Sequence, residues 1–130
     1  MAAKNWKEVN PSEPACKAQL GSIADALYVI GGKWKLRIIV ALKDGNKRFN
    51  ELQRLIEGIS AKVLSAELKD LELNGFVKRN VFTTMPVVVE YELTEYSETL
   101  ENVLHALGEW GTMHRETVKK SMREAHKVPA

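Results

Sequence analysis

Apolar residues recur at intervals of three and four from Lys17 to Ile30, where Leu20, Ile23, Ala24, Leu27 and Ile30 fall on one side. That period predicts an amphipathic helix, and Gly31-Gly32 stops it. A second helix is expected from about Lys33 to Lys43, with Trp34, Ile38, Val40 and Leu42 apolar and Gly45 just past its end. Lys47-Arg48-Phe49 is too short for a helix and fits a brief extended pairing. Asn50 is a good N-cap for a short helix over Glu51 to Ile56, which Gly58 closes. Ser60 is the next cap. The helix Ala61 to Leu73 follows and ends at Asn74-Gly75.

On a wheel of about 100° per residue, Leu64, Leu68 and Leu71 form one core stripe. Lys62, Ala66 and Lys69 fall on the opposite side and Ser65 on a shoulder, so the outer face is small and basic. Phe76 to Phe82 and Val87 to Leu93 alternate apolar and polar residues, with Thr83-Thr84-Met85-Pro86 between them. This pattern predicts a β-hairpin. Thr94 or Ser97 caps a last long helix carrying Leu100, Val103, Leu104, Leu107 and Trp110. Residues 1–15 hold Pro11, Ser12 and Pro14 without an apolar period and read as a flexible arm. One domain is expected over 16–114, and residues 115–130 read as a basic C-terminal tail.

The expected fold is therefore mainly α with a small β-hairpin. The third and fourth helices are joined only by Glu57-Gly58-Ile59-Ser60, a short glycine-containing turn of the helix-turn-helix kind. A hairpin directly after the second of them makes a winged helix, whose second helix would present its outer face to the DNA major groove. Here that face holds Lys62, Ser65, Ala66 and Lys69. The small residues permit close approach, while hydroxyl and ammonium groups can donate to phosphate or base acceptors. No Arg, Asn or Gln projects from it, so bidentate base reading by this face is weak. Arg48, Asn50 and Ser60 at the two helix starts, and Lys78 and Arg79 in the first strand, are further candidate DNA contacts. Lys33 is a candidate phosphate donor beside the core aromatic Trp34.

Charge sharpens this picture. The 130 residues carry a net charge of +2. Residues 33–70 hold nine Lys or Arg against five acids, whereas residues 90–110 hold six acids and no Lys or Arg. The basic block fits a polyanionic partner and equally a solvated surface. The acidic edge of Glu90, Glu92, Glu95 and Glu98 would be repelled by DNA and is expected to face away from it.

Five motifs in order carry a family resemblance. They are Ile30-Gly31-Gly32-Lys33-Trp34, Arg48-Phe49-Asn50-Glu51-Leu52, Gly58-Ile59-Ser60-Ala61-Lys62-Val63-Leu64, Val89-Glu90-Tyr91-Glu92-Leu93-Thr94 and Trp110-Gly111. From about Gly21 to His114 the chain resembles the HxlR family of bacterial winged helix regulators. The resemblance implies a homodimeric, cytoplasmic transcription regulator that binds DNA, with the first and last helices making the dimer. The dimer residues would be Leu20, Ile23 and Leu27 with Leu100, Val103, Leu104, Leu107 and Trp110. A twofold dimer is expected to bind an inverted-repeat operator, and the resemblance leaves room for a small-molecule effector. Two positions depart from the family pattern. Many members carry a redox-active Cys-Pro early in the first helix, where this chain has Gly21-Ser22, and Cys16 lies five residues upstream. Many also have Lys or Arg just before Val-Glu-Tyr in the wing, where this chain has Val88.

Other chemistry finds little support. No nucleophile paired with a base and no phosphate loop is present, so no enzyme activity and no cofactor are expected. His105, His114 and His126 lack metal-ligand spacing on one helical face, and only one Cys could join them, so no metal is assigned. One cysteine excludes an internal disulfide and fits a reducing compartment, with oxidation between chains as the redox alternative. No apolar run reaches the roughly 20 residues a membrane span needs, and Met1 to Ser12 has no apolar signal core, so the expected location is cytoplasmic. The rival class is a protein-interaction module on the same fold, which a salt-dependent shift of duplex DNA would discriminate.

Overall fold

The computed structural model describes residues 12–126. It begins with α1 (Glu13–Ile30). The Ser12 hydroxyl accepts from the Ala15 N–H at 3.4 Å, and Pro14 occupies the first turn, where no N–H is needed. Residues 13–15 are thus helical rather than part of an arm, and residues 1–11 of the expected arm lie outside the described residues.

Helix α2 (Lys35–Leu42) starts two residues later than expected. Gly32 adopts φ 99°, a left-handed turn that suits glycine, and Trp34 takes the N-cap position. Helix α3 (Phe49–Leu55) starts earlier than expected. The Arg48 N–H donates to the Glu51 carboxylate at 2.9 Å, so Arg48 is the N-cap residue and Asn50 lies inside the first turn. Helix α4 (Ala61–Leu73) has the expected bounds. Ser60 Oγ accepts from the Val63 N–H at 3.2 Å. At the other end Phe76 N–H donates to Leu71 O and Gly75 N–H to Glu72 O, at 2.9 and 3.1 Å, with Gly75 at φ 83°. This is a Schellman closure, and it turns Phe76 into the core. Ser60→Ala should lower stability by about 1 kcal/mol, the usual worth of such a cap. An unchanged urea midpoint with unchanged slope would show that the Ser60–Val63 bond contributes nothing.

Strands β1 (Val77–Phe82) and β2 (Val88–Leu93) pair antiparallel from Val77 opposite Leu93 to Phe82 opposite Val88. The extended stretch before α3 contributes one bridge, Lys47 to Tyr91, with hydrogen bonds of 3.1 and 2.8 Å. The last helix does not begin at Thr94 or Ser97. Residues Glu95–Leu100 form a 3₁₀ segment, inside which Ser97 is buried and donates to Thr94 O at 2.6 Å. Helix α5 then runs Glu101–Ala125, well beyond residue 114. Residues 115–125 are thus helical rather than an irregular tail, and Met113, Val118 and Met122 stand exposed among the basic residues.

The core lies between α2, α3, α4 and the hairpin. Ile38, Ile39, Leu52, Leu64, Leu68 and Leu71 are its most enclosed side chains. Leu100 is only 8% exposed and joins this core, and Leu104 packs against it half-buried. Leu100 is therefore unavailable to a partner chain, because the 3₁₀ segment turns it inward. Helix α1 buries no residue, and only Val29 and Ile30 at its end pack on the core.

Candidate nucleic-acid interface

Three fully buried leucines fix which side of α4 faces solvent. Leu64, Leu68 and Leu71 face the core, and each contributes about 1.5–3 kcal/mol by burial. Lys62, Ser65, Ala66 and Lys69 are all exposed on the other side. Neither lysine forms an ion pair with any described residue. The turn before α4 passes through Gly58 at φ 87° and the buried Ile59, which sets α4 across α3.

The remaining basic residues divide into engaged and unengaged. Lys43 Nζ lies 3.0 Å from the Glu101 carboxylate, tying the end of α2 to α5. Lys47 Nζ lies 2.7 Å from Asp44, and this hydrogen bond holds the Asp44 carboxyl below the usual carboxylate range. Lys35 is held between Glu67 and Asp70 of α4. Lys33 Nζ and the Arg37 guanidinium sit 4.9 and 5.3 Å from the centre of the Trp34 ring, which is half-buried against the core. Arg48, Asn50 and Ser60 are exposed at the starts of α3 and α4. Ser60 uses its oxygen for the cap, which leaves its hydroxyl proton free to donate.

The hairpin carries its two cations in the first strand. Lys78 is exposed but stands in register opposite Glu92, whose carboxylate accepts from Asn46 Nδ2 at 3.0 Å. Arg79 is exposed opposite Tyr91. The stretch from Val81 to Val89 contains no charged residue, and Met85 is fully exposed within it. Among the acids of the edge, Glu92 is hydrogen-bonded to Asn46 in the loop before α3.

Sequence reasoning did not find the Lys35 cluster, although two signals pointed to it. A lysine in the first turn of a helix opposes the helix dipole, and Glu67 and Asp70 share one flank of the α4 wheel. Among the described residues no group of three or more His, Cys, Asp or Glu could hold a metal ion. No described helix is long and apolar enough to cross a membrane.

Two helices across a short turn, a second helix whose exposed face holds two lysines unpaired with any described residue, and a following hairpin define a winged helix-turn-helix DNA-binding domain. The family model for the HxlR-like helix-turn-helix matches residues 29–119, and the chain belongs to that family. It is 37% identical over 113 residues to the HTH-type transcriptional regulator YybR of Bacillus subtilis (strain 168), covering 87% of this chain and 86% of that one. It is 45% identical over 93 residues to the HTH-type transcriptional regulator YtcD of the same organism, covering 72% and 74%. Among solved structures, the redox regulator HypR in its reduced form superposes with a TM-score of 0.71 at 39% identity, over 76% of this chain and 98% of that one. The protein is a helix-turn-helix transcriptional regulator, and its family and relatives are regulators rather than enzymes.

Proposed function

We propose that this regulator binds an inverted-repeat operator as a homodimer in the cytoplasm, with α4 of each protomer in the major groove. The outer face of α4 supports this placement, because Lys62 and Lys69 are exposed, unpaired with any described residue and available to phosphate, and Ser65 and Ala66 permit close approach to the bases. Arg48, Asn50 and Ser60 add phosphate donors, and Lys78 and Arg79 reach the flanking backbone. Half-sites then lie about one helical turn apart, roughly 34–36 Å.

The dimer reading rests on apolar helix faces left exposed in their own chain. An 18-residue helix that buries no residue gains little in water from its own chain. Leu20, Ile23 and Leu27 on α1 and Val103, Leu107 and Trp110 on α5 are all exposed. A groove of about 940 Å³ between α2, α3 and α5, walled by Leu36, Val40, Leu55, Leu107 and Gly111, offers an apolar seat. Both α1 and α5 then pack against a twofold mate. A small-molecule effector would act by changing the separation of the two α4 helices.

Selection of duplexes from a random pool tests the whole reading. The expected product is an inverted repeat bound by a species of twice the chain mass. Selection of unrelated sequences, bound without salt dependence, would overturn it.

Cys16 is exposed on α1, five residues before the position where many family members carry a thiol. Cys16→Ser is expected to leave DNA affinity within about twofold under both reducing and oxidising conditions, since no described group activates the thiol. Oxidation that abolishes binding in the wild type but not in the Ser variant would reverse this expectation.

A further inference from the structure

Lys35 occupies the first turn of α2, a place where the helix dipole disfavours a cation. Its side chain is only 12% exposed, and an unpaired ammonium in that position would be costly. Two carboxylates from another helix compensate. Lys35 Nζ lies 2.9 Å from Glu67 Oε2 and 3.1 Å from Asp70 Oδ2. The hydrogen bond to Glu67 raises the Lys35 ammonium above the ordinary lysine value, against an opposing contribution from desolvation. The other ion pairs among the described residues join neighbours on one element or loop, apart from the far more exposed Lys43–Glu101 pair.

The position of the two acids on α4 gives the cluster its consequence. Glu67 and Asp70 are three residues apart, so they stand one above the other on one flank of the helix. That flank separates the core stripe of Leu64, Leu68 and Leu71 from the exposed face of Lys62, Ser65, Ala66 and Lys69. Leucine packing fixes which side of α4 faces the core, but each leucine contact is non-directional, so the stripe tolerates a small rotation of the helix about its own axis. A hydrogen-bonded ammonium reaching two points along one flank is directional and resists that rotation.

We propose that Lys35 is a positioning residue for operator discrimination: by clamping Glu67 and Asp70 it fixes the rotation of α4, and so the direction in which its outer face meets the bases. Lys35 itself does not touch DNA in this arrangement. The inference rests on α4 being the DNA-reading helix.

The test compares a duplex selected by the wild-type chain with a scrambled duplex of the same composition, at one salt concentration and below the melting temperature of every variant. Lys35→Met should reduce the ratio of selected to scrambled affinity by about tenfold. Lys35→Arg, which can still bridge both carboxylates, should keep the ratio within about threefold. Loss of the ammonium also leaves two uncompensated carboxylates near phosphate, a repulsion that weakens binding to every sequence alike. The triple variant Lys35→Met, Glu67→Gln, Asp70→Asn removes that repulsion without restoring the clamp, so its affinity for scrambled DNA should recover while its ratio stays low. If the triple variant recovers the ratio as well, Lys35 acts by charge alone and the proposal is wrong. Lys62→Ala in the same assay separates the two readings. If it weakens binding while Lys35→Met keeps the full ratio, only the positioning role falls. If it leaves both duplexes unaffected, α4 is not the reading helix and both fall.

Discussion

Leu107→Asp should yield a folded 14.6 kDa monomer that holds an inverted repeat about 10²–10⁴-fold more weakly than the wild type. Leu107 is 50% exposed in the protomer, on the wall of the apolar groove, so an aspartate there has solvent to face once the chains separate. In the dimer the same carboxylate would be enclosed at an apolar contact, and by twofold symmetry it would occur twice. The folded protomer should survive, because the core residues from Ile38 to Leu100 do not include Leu107. Losing the dimer converts two linked half-site contacts into separate ones, which removes the advantage of the second contact without altering any contact to DNA. Sedimentation at micromolar concentration, with far-ultraviolet circular dichroism as the check on folding, reads the outcome. A variant that still sediments at twice the chain mass would remove α5 from the interface.

The parts of this molecule that could be read from the sequence are those where local chemistry and tertiary packing agree. Helix α4 has a serine cap, three leucines on one stripe and an Asn-Gly end, and its bounds match the expectation residue for residue. The hairpin forms where expected, but its burial does not alternate: Val77 is buried while Arg79 and Val81 are exposed, and β2 is half-buried throughout, since only the base of the hairpin packs on the core. Disagreement arises where a side chain reaches across several residues. Asn50 looked like a cap, but Glu51 reaches back to the Arg48 N–H and moves the helix start. Leu100 looked like part of the outer stripe of the last helix, but the 3₁₀ segment before α5 rotates it into the core. The helix beyond residue 114 is hard to read because its apolar positions are sparse, Met113, Val118 and Met122 among charged residues, and all three are exposed rather than packed on the core. The Lys35 cluster joins residues more than thirty positions apart, and no local period encodes that distance.

Lys62→Ala should weaken binding on operator and random DNA by similar factors and flatten the salt dependence of both. Lys62 is the second residue of α4, next to the Ser60 cap, where the helix start meets the phosphate backbone in the docking of such domains. Its ammonium is exposed and has no carboxylate among the described residues, so it is available to a phosphate. With Lys62, Lys69 and Arg48 each meeting one phosphate, a dimer neutralises about six, so the log–log salt slope should be about −5, and steeper by the share that Lys78 and Arg79 add. Removing Lys62 from both protomers removes two contacts, and the slope should shrink by about two. A guanine contact would behave differently, costing about 1–3 kcal/mol on the preferred site alone. Titrations of wild type and variant against selected and random duplexes at several salt concentrations separate the two cases. A loss confined to the selected duplex, with an unchanged slope, would move Lys62 from the backbone to a base edge. Unchanged affinity on both would exclude the outer face of α4 from the interface, since Lys62 is the exposed cation nearest its start.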